Sequence, residues 1–248
     1  MQKQNKIEVV DNEKDLVKDI DGKTYCRIPI KTHFVKVNEN YIDLVKKYVY
    51  PTYLEGDILI GSEKVLALCQ GDVIFKDDLQ ITPLAKFLSK FATKNPAGPA
   101  MDNVYKMQTA INLVGRARII TAAFLGAVGK LLGISGLFYK VAGKGVRNID
   151  GFCVVGFDYY SDKGILAPTN PKLACEKVKE QLGIDCVIVD ANDINIEILG
   201  KNKENAYSNE LIKRIIIDNP AGQGVEMTPF IIIRKKDLQK EYDSKSIV

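Results

Sequence analysis

The stretch Ile215-Ile216-Ile217-Asp218-Asn219-Pro220-Ala221-Gly222-Gln223-Gly224-Val225-Glu226-Met227-Thr228-Pro229-Phe230-Ile231-Ile232-Ile233 sets two apolar triplets around a polar, glycine-containing loop. Short apolar runs bounded by turn residues read as buried strands, so both triplets are expected to be strands with Asp218 emerging where burial ends. A second stretch, Cys186-Val187-Ile188-Val189-Asp190-Ala191-Asn192-Asp193, has the same grammar. Ahead of both lie amphipathic helical patterns: Tyr41, Leu44, Val45 and Tyr48 before Pro51, Leu84, Phe87, Leu88 and Phe91 after Pro83, and a helix from Pro171 to Leu182. Tyr25–Ile30 reads as a strand, Asp57–Ile74 as two strands around Gly61-Ser62-Glu63-Lys64, and Phe152–Phe157 as another strand. The segment 94–100 breaks the chain with Pro and Gly.

Strands and helices mix without a strict βαβ rhythm, which predicts an α+β fold of mixed, partly antiparallel sheets with packed helices. Residues 1–22 and 237–248 are charged and aperiodic and are expected to be polar arms. They flank one domain over 23–236, which could comprise two intimate subdomains. The 248 residues are 46% hydrophobic, enough for a sizeable core. Ile119–Gly129 is too short to span a bilayer and reads as a core helix, with Gly115, Gly126, Gly129 and Gly133 allowing close backbone approach.

Composition narrows the function. The net charge of +4 comes from scattered lysines rather than a stripe, and the cations are not interleaved with aromatics, so a nucleic-acid reader is not expected. Neither an apolar leader nor a membrane anchor is read, and a cytoplasmic protein is expected. Cys26, Cys69, Cys153, Cys175 and Cys186 are odd in number and widely spaced, suggesting buried thiols rather than disulfides or zinc ligands. His33 is the only histidine, so a two-histidine metal site is impossible; it is expected to be structural or solvated.

Hard oxygen ligands are the remaining resource. If the two strand ends lie close, Asp190, Asn192, Asp193 and Asp218, with Asn219 or Gln223, would make a site for Mg²⁺ or Mn²⁺ and for nucleotide phosphates; the alternative is that they cap turns. Gly143, Lys144, Gly145 and Arg147 supply a generic anion loop. It is not a P-loop, because Phe138 stands five residues before Gly143. Lys64 is a further cation for a phosphate.

On these residues the chain resembles the γ-glutamyl ligases of deazaflavin coenzyme (coenzyme F-420) biosynthesis. Gly56, Asp57, Lys64 and Gly71 match one family block, with Ala67 and Gln70 in place of its Ser and Glu. Ala142, Gly143 and Asn148 match a second, with Gly145 where the family has a metal-binding Asp. Asp218, with Asn219, stands for a third. The resemblance implies an intertwined α+β fold, often a homodimer. It implies a GTP- or ATP-dependent, Mg²⁺- or Mn²⁺-dependent ligase that joins glutamate to a small-molecule carboxylate through an acyl phosphate. Asp218 and Asp193 would be catalytic, Asp190, Asp193 and Asp218 metal ligands, and Lys64, Lys144, Arg147, Asn148, Asn192, Asn219 and Gln223 nucleotide or substrate contacts. Asp190, Asp193 or Asp150 could replace the ligand missing at Gly145. The alternative is a non-catalytic binding or assembly protein on the same fold.

Overall fold

The computed structural model describes residues 16–92, 101–152, 158–191, 196–222 and 226–236. In chain order the elements are β1 (Val17–Ile20), β2 (Lys23–Ile30), α1 (Tyr41–Leu44), β3 (Ile58–Ser62), α2 (Glu63–Gln70), β4 (Val73–Phe75), α3 (Pro83–Phe91), α4 (Val104–Val114) and α5 (Arg116–Leu131). There follow α6 (Leu137–Ala142), α7 (Lys144–Arg147), β5 (Asp150–Gly151), β6 (Lys163–Ile165), α8 (Pro171–Leu182), β7 (Cys186–Ala191), β8 (Ile196–Lys201), α9 (Asn209–Ile216) and β9 (Phe230–Lys235). The architecture is α+β, with a mixed six-stranded sheet and a small antiparallel one.

The chain divides into two compact units: Met1–Gly71 with Pro168–Val248, and Asp72–Ala167. The first holds the sheet β1-β2-β9-β3-β7-β8, in which β3 and β7 are parallel and the other pairs antiparallel. The run Phe230-Ile231-Ile232-Ile233 forms β9, and its four residues are buried because this strand sits between β2 and β3 with both faces covered. One face packs Leu59, Cys186, Ile188, Phe230 and Ile232 against residues of α1, α2 and α8. The other packs Tyr25, Ile58, Ile60, Val187 and Val189 against α9.

The first apolar triplet is helical, which corrects the strand expected at Ile215–Ile217. Ser208 caps α9 by accepting from the Leu211 amide, and Ile212, Ile215 and Ile216 face the sheet at helical spacing while Ile217 is exposed. Viewed alone, three isoleucines look like a strand; with Leu211 and Ile212 included, the period is that of a helix. The second strand expected before residue 74 is also largely helix. The residues after Lys64 form α2, burying Leu66, Ala67 and Leu68 and ending at Gly71 in the left-handed conformation. The polar arm expected over 1–22 includes a strand, because Val17–Ile20 pairs with Lys23–Cys26.

The helix from Pro171 to Leu182 stands as read, with Asn170 at its N-cap position and Pro171 at the first turn. Strand residues 153–157, the breaker at 94–100 and the tail 237–248 lie outside the described residues. In the second unit, α3 to α7 enclose a core that includes Met107, Ala110, Ile119, Ala122 and Val146. Gly126 and Gly129 serve packing: a Cβ on Gly126 would press on Phe138 and one on Gly129 on Leu137 and the Ile134 carbonyl, so α6 folds closely onto α5. The core-helix expectation for Ile119–Gly129 is corrected by exposure, since Ile119, Ala122 and Gly129 are buried in α5 whereas Ile120 and Phe124 are 49% and 67% exposed.

Candidate functional site

Parallel strands that end side by side present their following residues at a common edge. In β3 and β7 Ser62 lies opposite Val189. Lys64, on the first turn of α2, and Asp190 therefore emerge at one edge of the sheet. The same edge receives the start of β9, because the Ser62 amide donates to the Pro229 carbonyl at 2.9 Å. Lys64 is exposed and Asp190 half-buried. Asn192 and Asp193 follow Asp190 in sequence but lie outside the described residues, as does Gln223.

Asp218 is not part of this edge. Its carboxylate accepts from Arg27 Nη1 and from Lys18 Nζ, the latter at 3.1 Å, and Arg27 Nη1 also donates to the Ile215 carbonyl at 3.1 Å. Burial alone raises the Asp218 pKa, but the hydrogen bonds from Arg27 and Lys18 outweigh it and hold the carboxyl below its ordinary value. The α9 contact places Arg27 and Asp218 on the α9 face of the sheet. Alternation along β7 places Asp190 with Cys186 and Ile188 on the α1–α2–α8 face. Arg27 and Asp190 are also three strand spacings apart, about 14 Å across the sheet. The metal site expected to join Asp190 and Asp218 is therefore not assembled. Among the described residues no group of three His, Cys, Asp or Glu side chains is arranged to hold a metal ion.

Other matched residues have structural partners. Asp57 is fully buried against Arg234, which donates from Nε and Nη2 at 2.7–3.1 Å, and Asp57 also accepts from the Leu54 amide. Asn219 is 4% exposed with φ 47°, and its side-chain amide donates to the Gly222 carbonyl at 3.1 Å, so it builds the turn rather than facing a ligand. Gln70 donates to the Thr169 carbonyl, and Ala67 is buried. His33 is hydrogen-bonded to Tyr48 and Glu39 on the surface, its side chain 40% exposed.

In the second unit Gly143 has φ 100° and precedes α7, which carries Lys144 and Arg147 on exposed positions with Asn148 at its C-terminal end. The Arg118 guanidinium lies over Gly143, where an added Cβ would come within 3.0 Å of Nη2, and Arg118 Nε donates to the Val141 carbonyl. Arg118 thus completes a basic group with Lys144 and Arg147. Sequence reading missed it because it comes from α5, and no local spacing links it to the glycines. Asp150 accepts from the adjacent Gly151 amide on the edge strand β5.

A groove of about 430 Å³ opens on the α1–α2–α8 layer, lined in part by Asn40, Tyr41, Leu66, Cys69, Asn170 and Lys177. Burial, with the Glu39 charge, pushes the Cys69 thiol up to about 12, so it is not a thiolate nucleophile. The four described cysteines Cys26, Cys69, Cys175 and Cys186 are free thiols; Cys153 lies outside the described residues. Among the described residues no helix is long and apolar enough to cross a membrane. Compared with known proteins, the chain matches no family model and no curated sequence.

Proposed function

We propose that the protein is a nucleotide-dependent ligase that forms an amide bond of the γ-glutamyl type, with its phosphate-handling edge at the carboxyl ends of β3 and β7. The observation that carries this reading is the juxtaposition of Lys64 and Asp190 by the parallel β3–β7 pair. Ligands of open α/β sheets gather at such an edge, and an exposed ammonium at a helix start is suited to a phosphate. The groove on the same layer is large enough for a small acid or amino acid.

In this reaction the substrate carboxylate takes the γ-phosphoryl group of GTP or ATP, releasing the nucleoside diphosphate. The glutamate amine then attacks the acyl carbon, and inorganic phosphate leaves as the amide forms. Lys64 offsets phosphate charge, and the groove holds the acid near the sheet edge. Asp190 and Glu63 are described carboxylates at that edge, and Asp190 would be one oxygen ligand to an Mg²⁺ or Mn²⁺ ion. One carboxylate does not make a metal site alone. The intertwined ligase fold, the homodimer and a cytoplasmic setting belong to the same reading.

Glutamate-dependent release of phosphate from GTP or ATP, measured with candidate small carboxylates, tests the proposal. The account expects release that Lys64→Ala lowers. A second reading, a non-catalytic binding protein on this fold, is favoured by Gly145 in the family's Asp position and by the pairing of Asp218 with Arg27 and Lys18. Absence of glutamate-dependent release with every nucleotide and acid offered, together with nucleotide binding, would select it.

A further inference from the structure

The helix read as core presents two apolar stripes, and only one of them is used. Ile119, Ala122 and Gly129 are buried in the second unit, whereas Ile120, Phe124 and Leu131, spaced i, i+4 and i+11, share another stripe and are 49%, 67% and 87% exposed. The turn after α5 adds Leu132, 69% exposed, and Ile134, 48% exposed. This places Ile120, Phe124 and Leu131 along one side of α5 and the two turn residues Leu132 and Ile134 at the end of the α5–α6 hairpin.

The charge around them bears on which partner this surface suits. From Gly115 to Ile149 the chain has no Asp or Glu, yet carries Arg116, Arg118, Lys130, Lys140, Lys144 and Arg147, all on exposed positions. A two-fold pairing of copies through this hairpin would set a cationic surface against itself. A nucleic acid would answer the charge but not cover leucines at a helix turn. A surface that offers anionic headgroups above an apolar layer meets both features.

We propose that the α5–α6 hairpin docks the protein peripherally on an anionic phospholipid bilayer. Phe124, Leu131 and Leu132 enter the boundary between headgroups and acyl chains, while Lys130 and Lys140 lie among lipid phosphates and carboxylates. The hairpin rests on the surface and does not span it. This inference is independent of the proposed ligase activity.

The test is sedimentation of the full chain with phosphatidylcholine vesicles made with and without phosphatidylserine. Binding is expected only to the vesicles containing phosphatidylserine and to fall as salt rises. The double variant Leu131→Ser, Leu132→Ser is expected to weaken it about tenfold or more. Lys130→Glu with Lys140→Glu is expected to weaken it comparably. These side chains are exposed, so the variants keep the melting temperature of the parent protein, and Phe124→Ser provides an independent check. Failure to bind the anionic vesicles would overturn the proposal, as would binding that the leucine and phenylalanine variants leave unchanged. A concentration-dependent dimer in light scattering that the leucine variants abolish would overturn it in favour of a second copy on this face.

Discussion

Arg27 on β2 is 1% exposed, and its Nη1 donates both to the carboxylate of Asp218 and to the Ile215 carbonyl in the last turn of α9. The pair therefore pins the end of α9 to the sheet. Removing the carboxylate leaves a buried guanidinium short of its counter-charge. Asp218 is 38% exposed, so water offsets part of the loss, and Asp218→Ala is expected to cost about 1–2 kcal/mol. Urea unfolding checks this, with the same cost in the presence and absence of Mg²⁺. Lys18→Ala, at the outer edge of the pair, is expected to cost no more than about 1 kcal/mol.

Acid weakens the same attachment. The Asp218 carboxyl is held below the ordinary value of 3.8, and Asp21 is lowered by its hydrogen bonds and charge interaction with Arg214. A depressed folded-state pKa gives stability that is complete above the unfolded value and is lost as pH falls through the folded one. These pairs should therefore contribute fully at neutral pH and fade below 3.8. In thermal melts across acid pH, Asp218→Asn is expected to be less stable than the parent at neutral pH and to lose less on acidification below that value.

The Asp57–Arg234 pair behaves differently because it is dry. Their side chains are 0% and 6% exposed, and Arg234 Nη2 also donates to the Thr52 carbonyl at 2.6 Å. Asp57→Ala should cost about 3–5 kcal/mol, since it strands a buried cation. Chemical denaturation of Asp57→Ala and Asp57→Asn measures the loss, with Asn retaining part of the hydrogen bonding.

Gly61 in β3 lies against the Tyr41 hydroxyl, where any Cβ would collide, with Ile188 Cδ1 a further 3.1 Å neighbour. Gly61→Ala is expected to destabilise by about 1–3 kcal/mol through overpacking. Tyr41→Phe in the same chain removes the obstructing oxygen and should recover much of the loss. A double-mutant cycle by urea unfolding reads the coupling directly.

Several of these features were legible in the residues and others were not. Phe230–Ile233 announced a strand buried on both faces, and Pro171–Leu182 carried both its start signal and its terminal glycine, Gly183. Ile215–Ile217 misled because three β-branched residues have no visible period until Ser208, Leu211 and Ile212 are counted with them. Lys64 and Asp190 could be proposed from sequence as separate candidates. Their shared edge depends on the parallel pairing of strands about 125 residues apart, a non-local contact that no spacing encodes. Arg27 was missed as the partner of Asp218 for the same reason: a strand alternation gives burial, not the identity of the helix end that the side chain meets.

The central claim is a nucleotide-phosphate site at the β3–β7 edge, and the shift in melting temperature with GTP or ATP plus Mg²⁺ or Mn²⁺ tests it most directly. The account predicts a rise for the parent protein and for Asp218→Asn, since Asp218 lies on the other face, with the rise lost in Lys64→Ala and reduced in Asp190→Asn. No rise with either nucleotide at millimolar concentration, or a rise that Lys64→Ala and Asp190→Asn leave intact, would contradict it.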